Sequence, residues 1–307
     1  MTRPEAITLV DVSIRDGLQD EAVFVATDEK ANVARALVDA GVTHVEATSF
    51  VHPRWVPQLA DADALVPKLP HGPRYSALVL NRRGFERAVE AFDRAGWTPG
   101  TYDLAYVTST SPRHAAANNN RTIDETLAIF DEVASAARER GVALRATIAC
   151  AFVSPWHDET IDEDDVLRAF ETFVHGGARI ITLADTVGRA DPRTVAKRID
   201  AVRAVSRDVP LALHLHDSFG YALANIYAGL EAGVRVFEAA LAGLGGCPFA
   251  PDAPGNLDLQ KLAKFVEDCG FATGIDREKL ARAAACIRRA VVEGTPIERA
   301  ANAAVHA

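Results

Sequence analysis

The chain has little cysteine: four residues in 307, at positions 150, 247, 269 and 286, with no C-x-x-C pair. That spacing argues against a disulfide frame and a thiolate zinc site and suits reduced thiols, each of which must be argued singly. Long apolar runs are missing as well, and Met1 to Asp11 lacks the basic-then-apolar order of a signal peptide. A cytoplasmic protein without membrane contact is expected. The chain holds no Lys or Arg run and no basic stretch interleaved with aromatics, and its formal charge is −9. Nucleic acid and anionic membrane surfaces are therefore poor partners, which leaves small-molecule chemistry. What is present is an ordinary globular composition, 49% hydrophobic and 24% charged, enough to build a sizeable core.

A unit recurs along the chain: an amphipathic helical stretch, a glycine, then a short apolar run rich in β-branched residues. It reads DAGVTHVEATSF, RAGWTPGTYDLAYVTS, ERGVALRATIACAF, HGGARIITLADT and EAGVRVFEAALAG. Gly41, Gly96, Gly141, Gly176 or Gly177, and Gly233 stand where left-handed helix caps are expected. Thr122 with Glu125 spells a capping box, and Asp191 before Pro192 places an N-cap ahead of a first-turn proline. With ITLVDVSI, RYSALVL and LALHLH added, eight strand candidates fall near residues 7–14, 44–50, 74–80, 102–109, 144–152, 179–186, 211–217 and 235–242. Eight strands alternating with helices predict an α/β fold, the closed (β/α)8 or TIM barrel. A doubly wound sheet would ask for fewer strands and usually a glycine-rich phosphate turn after the first, where this chain reads Ser13-Ile14-Arg15-Asp16. No linker divides residues 1–307, and the tail from about Leu257 reads as two extra helices near 258–268 and 276–292, so one elaborated domain is expected.

In such a barrel the chemistry sits at the C-terminal strand ends. Strand one ends at Arg15-Asp16, strand two carries Glu46, strand six ends at Asp185, and strand seven ends at His214-Leu215-His216-Asp217. Two histidines two apart on a strand share a face, and paired neutral imidazoles among carboxylates want a cation rather than two separate hydrogen bonds. Asp16 adds a carboxylate and Asn256, in the loop after strand eight, an amide oxygen. This nitrogen and oxygen set suits Mg2+ or Mn2+, with Zn2+ and Co2+ also allowed. H-x-H also marks metal-dependent barrel hydrolases, but there it ends the first strand. Arg15 beside a metal could stabilise an oxyanion, or it could simply pair with Glu46 or Asp185. Cys247 follows Gly243, Gly245 and Gly246 directly after strand eight, so its loop reads as a catalytic lid or, more plainly, as a turn with an incidental thiol. Cys150, Cys269 and Cys286 are assigned to packing. The polar stretch Thr108–Thr122 reads as a loop at the substrate entrance.

Arg15-Asp16-Gly17-Leu18-Gln19, Glu46-Ala47-Thr48-Ser49-Phe50-Val51, His214-Leu215-His216-Asp217 and the loop AGLGGCPFAPDAPGN resemble the 3-hydroxy-3-methylglutaryl-CoA lyases over about Ile7 to Gly274. These belong to a metallolyase branch that includes isopropylmalate and homocitrate synthases, and the cysteine loop is specific to its cleaving side. The resemblance implies Asp16, His214, His216 and Asn256 as metal ligands. It also implies Arg15 as enolate stabiliser, Cys247 as proton donor, Asp185 or His214 as an aid to the general base, and Glu46, Gln19 and Ser49 as pocket residues. Arg145 and Thr147 fall on the substrate side of strand five, with Thr147 where the family has tyrosine. Gln260 and Ala116-Ala117 also depart from the family, replacing a carboxylate behind the metal and a basic pair after strand four. The implied reaction is retro-Claisen cleavage of an acyl-CoA to acetyl-CoA and an oxo acid, by a homodimer. A sister lyase for another 3-hydroxy acid, a Claisen-condensing acyltransferase and a silent binding module are the competing readings.

Overall fold

In the computed structural model, which describes residues 4–246 and 255–297, eight parallel strands close a barrel in chain order. They are β1 (Thr8–Asp11), β2 (His44–Ser49), β3 (Arg74–Leu78), β4 (Tyr102–Ser109), β5 (Ala143–Ala149), β6 (Ile180–Asp185), β7 (Leu211–Leu215) and β8 (Val236–Ala239). Pairing of Thr8 with Val236 through Asp11 with Ala239 joins the first strand to the last and seals the sheet. The helices between strands are α1 (Thr27–Asp39), the short α2 (Ala62–Leu65), α3 (Arg82–Arg94), α4 (Pro112–Asn119), α5 (Ile123–Arg140), α6 (Glu163–His175), α7 (Pro192–Val205) and α8 (Ala222–Glu231). After β8 come α9 (Leu259–Asp268) and α10 (Arg277–Val292), the latter lying along α1.

Strand alternation sorts the side chains. Leu144, Ala146 and Ile148 of β5, Ile181 and Leu183 of β6, and Leu211, Leu213 and Leu215 of β7 share one buried core with Phe130, Phe173 and Ile199 of the helices. The opposite phase, Arg145, Thr147, Thr182, His214 and Glu238, turns into the barrel. The lumen is thus largely polar, with a small separate apolar cluster of Val10, Val12 and Ala240. Burial of the outer faces drives assembly, and the inner faces are left to carry chemistry.

The expected punctuation is present. Gly41, Gly96, Gly141, Gly177 and Gly233 have φ of 90°, 79°, 65°, 80° and 81°, while Gly176 has φ −68°, so Gly177 takes the left-handed position after α6. The capping box at Thr122 and the cap at Asp191 both form. Asp258 and Asp276 cap α9 and α10, within a residue of the expected starts. Two expectations are corrected. Strand one stops at Asp11, because residues Ser13–Gly17 wind into a π-helical turn; the Asp11 carboxylate accepts from the Ser13 amide at 3.0 Å and from its hydroxyl at 2.5 Å. The Thr108–Thr122 stretch contains α4, started by Pro112 and by the Ser111 hydroxyl accepting from the His114 amide. Among the described residues no helix is long and apolar enough to cross a membrane.

Candidate metal centre at the barrel mouth

The π turn presents Arg15 and Asp16 from the end of β1, and β7 with the residue after it presents His214 and His216 on one face. Ligand atoms of Asp16, His214 and His216 all lie within 4.8 Å of one another. Asn256 arrives by a different route. The Leu257 amide donates to Leu215 O and the Ala240 amide to Leu257 O, so this segment wedges between the ends of β7 and β8. It makes bridges of His216 with Asn256 and of Ala240 with Asp258. The Asn256 amide group then donates to Asp16 Oδ2 at 2.8 Å and to Leu244 O at 2.9 Å. Close backbone approach makes the glycines necessary. A Cβ on Gly245, whose φ is +104°, would sit 2.6 Å from Asn256 Nδ2, and one on Gly255 would sit 1.6 Å from Gly245 O.

Charge is held strongly here. Burial alone would raise the Asp16 pKa, but Arg15, both histidines and the Asn256 hydrogen bond hold it down at about 2. Burial and the neighbouring His214 push His216 down to about 4, which keeps that imidazole neutral at neutral pH. Arg15 is desolvated, yet Glu46 and Asp16 more than offset this and raise its pKa. Its Nε donates to Glu46, its Nη1 to Asp16 at 2.8 Å, and more distantly to Gln19 at 3.5 Å. A cationic guanidinium is therefore aimed and braced beside the Asp16 carboxylate.

Two buried polar atoms of this group have no hydrogen-bond partner among the described residues: His216 Nδ1 and Asn256 Oδ1. Buried polar atoms are normally satisfied, so orphaned nitrogen and oxygen atoms beside a carboxylate and a second imidazole fit a divalent cation. Glu238 of β8 was missed in the sequence, where one acid inside an apolar strand was the only signal. It accepts from Arg145 Nη2 at 2.6 Å and Thr182 Oγ1 at 2.9 Å, and contacts His214 Nδ1 at 3.2 Å. Despite burial, these partners hold its pKa at about 2.

The remaining candidates are spread around the same mouth. Arg145 is 3% exposed, and its hydrogen-bonding partner is Glu238, beneath His214. Thr147, two residues further along β5, is only partly buried and pairs in register with Thr182. Ser49 is buried, its hydroxyl accepting from the Val51 amide at 3.2 Å. Asp185 is fully buried, with its oxygens accepting from the Arg189 and Ala190 amides at 3.2 and 2.9 Å. Burial raises its pKa to about 6 against those hydrogen bonds. Arg15 pairs with Glu46 rather than with Asp185. Cys247 lies outside the described residues.

A (β/α)8 barrel with a carboxylate and two imidazoles converging at its C-terminal mouth defines the class, barrel enzymes with a divalent-metal site. Within that class the chain belongs to the HMGL-like family, whose model matches residues 6–287. It is 38% identical to the mitochondrial hydroxymethylglutaryl-CoA lyase of Bos taurus, over 94% of this chain and 87% of that one. With the hydroxymethylglutaryl-CoA lyase of Bacillus subtilis it shares 34% identity over 96% of this chain and 97% of the other. Among solved structures, the HMG-CoA lyase of Brucella melitensis superposes with a TM-score of 0.86 at 39% identity, covering 93% of this chain and 98% of that one. The HMG-CoA lyase of A. baumannii, solved with coenzyme A and 3-methylmalate, gives 0.86 at 34% identity over 100% and 99% of the two chains. The carboxyl transferase domain of Rhizobium etli pyruvate carboxylase, at 18% identity and a TM-score of 0.70, shares the fold alone.

Proposed function

We propose that this chain cleaves 3-hydroxy-3-methylglutaryl-CoA to acetyl-CoA and acetoacetate in a retro-Claisen reaction. The observation that carries the reading is the convergence of Arg15, Asp16, His214, His216 and Asn256 at one mouth, in a chain whose near full-length relatives bear that name. Asp16, His214, His216 and Asn256 would hold the metal, Mg2+ or Mn2+ in this reading, which supplies Lewis-acid polarisation of substrate oxygens. The chain's own residues do the rest. Asp185, buried and near 6 in pKa, or His214 would aid the general base that takes the 3-hydroxyl proton. As the C–C bond breaks, its electron pair passes to the thioester side, and the Arg15 guanidinium, braced by Glu46, stabilises the enolate oxygen. Cys247 donates the proton that turns the enolate into acetyl-CoA. This role rests on the resemblance. Gln19, Ser49 and Thr147 line the acyl pocket. The same reading takes the enzyme as a cytoplasmic homodimer.

A sister lyase acting on another 3-hydroxy-acid thioester is the second reading, favoured by partly buried Thr147 on the lumen wall and by Ala116 and Ala117 on α4. The coenzyme A in the A. baumannii relative supports a thioester in both cases. Incubating metal-loaded enzyme with a panel of 3-hydroxyacyl-CoA thioesters, and following acetyl-CoA release, separates the two. Turnover of a free hydroxy acid with none of the thioesters sinks the acyl-CoA assignment.

A further inference from the structure

His214 meets a carboxylate on each side of its ring. Nδ1 lies 3.2 Å from Glu238 Oε2, inside the barrel, and Nε2 lies 3.9 Å from Asp16 Oδ2, too far for a direct hydrogen bond. Glu238 is itself held from two further strands. Its Oε1 accepts from Arg145 of β5 at 2.6 Å and from Thr182 of β6 at 2.9 Å, and its side chain is 5% exposed. With Oε1 doubly engaged, Oε2 is the oxygen left for the imidazole. His216 differs: among the described residues its Nδ1 has no hydrogen-bond partner, which leaves that nitrogen open.

We propose that Glu238 is a positioning residue that locks His214 with its proton on Nδ1, so that Nε2 is the atom offered toward Asp16, and that Arg145 and Thr182 hold Glu238 in place for this purpose. The inference rests on the metal reading above. Imidazole ligands commonly donate their second N–H to a carboxylate, which fixes the tautomer and the ring plane and raises ligand basicity. Arg145 makes the arrangement durable, because it neutralises the buried carboxylate without competing for Oε2. The polar layer beneath the mouth is in this view part of the metal site, three strands wide, although the sequence of each strand contributes a single polar residue to it.

The test measures binding of Mn2+ alone to the full chain, by electron paramagnetic resonance, for wild type, Glu238→Gln and Thr182→Val. In Glu238→Gln affinity falls roughly ten- to hundredfold, in Thr182→Val by less, and Glu238→Asp recovers part of the loss. Imidazole 15N spectra of the Mg2+-loaded wild type place the proton of His214 on Nδ1. Equal Mn2+ affinity in wild type and folded Glu238→Gln, or a His214 proton on Nε2, overturns the proposal. If Glu238→Gln does not fold, the wild-type spectrum and Thr182→Val decide. A wild type that binds no Mn2+ defeats the metal reading instead, and the tautomer then still tests the Glu238 contact.

Discussion

The two ends of the barrel use similar residues to opposite ends. At the N-terminal face Asp103, its side chain 1% exposed, takes Arg74 on one oxygen at 2.8 Å and Arg179 on the other. Every part of that carboxylate is satisfied. At the C-terminal face Asp16 has Arg15 and Asn256, yet His216 Nδ1 and Asn256 Oδ1 beside it have no partner among the described residues. One cluster is closed and stabilising, while the other leaves donor atoms open, which is what separates the structural end of such a barrel from its chemical end. Paired charge holds the fold, and unpaired donors mark the site.

Four changes would break or sharpen that contrast. Asp16→Ala should strip the bound metal and cut turnover by more than about a hundredfold while leaving the unfolding midpoint little changed, read by metal analysis, steady-state kinetics and circular dichroism; an active, metal-loaded variant would refute the site. Asp103→Ala should do the reverse. Its arginines keep 28% and 37% exposure, so the loss falls below that of a fully buried pair, about 2 kcal/mol in urea unfolding, with activity per folded molecule kept. A variant that loses activity without losing stability would abolish the distinction between the two ends.

Gly245→Ala should weaken metal affinity about tenfold, or ~1.4 kcal/mol, because its Cβ would press on Asn256 at 2.6 Å; calorimetric titration with Mn2+ checks this, and unchanged affinity would mean that the loop gives way. The last change affects a slope rather than a level and concerns Asp11, below the mouth. Burial pushes its carboxyl up to about 7 from 3.8, against the Ser13 hydrogen bonds. Between those values the unfolded chain has released a proton that the folded chain retains, so stability falls as pH rises through the window, by at most about 1.4 kcal/mol per pH unit. Asp11→Asn should flatten that slope, measured by urea unfolding across the range, and an unaltered slope would place the titration elsewhere.

Much of the fold is legible in the sequence. The glycine-capped units and the β-branched runs predict the eight strands, since period-two burial and left-handed caps are local properties. Even so, the strand pattern runs three residues past the end of β1, because the turn at Ser13–Gly17 depends on Asp11 gripping Ser13. The helix at Pro112–Asn119 carries no strong apolar stripe, so its sequence resembles a loop. At the site, H-x-H and Arg15-Asp16 are recognisable by spacing and strand position. Glu238 is not, because its importance comes from Arg145, 93 residues away, and from His214, 24 residues away.

By itself the sequence determined the repeating strand and helix units, their caps, and which residue types meet at the strand ends. Those follow from periodicity and from backbone preferences of neighbouring residues, which act within a few positions of each other. Only the tertiary structure decided that Asn256 wedges between β7 and β8, that Arg15 pairs with Glu46 rather than Asp185, and that one histidine rests on a carboxylate while the Nδ1 of the other has no partner among the described residues. Such choices depend on how closure of the barrel sets neighbouring strands in register. That register brings together side chains whose separation along the chain carries no signal of their contact.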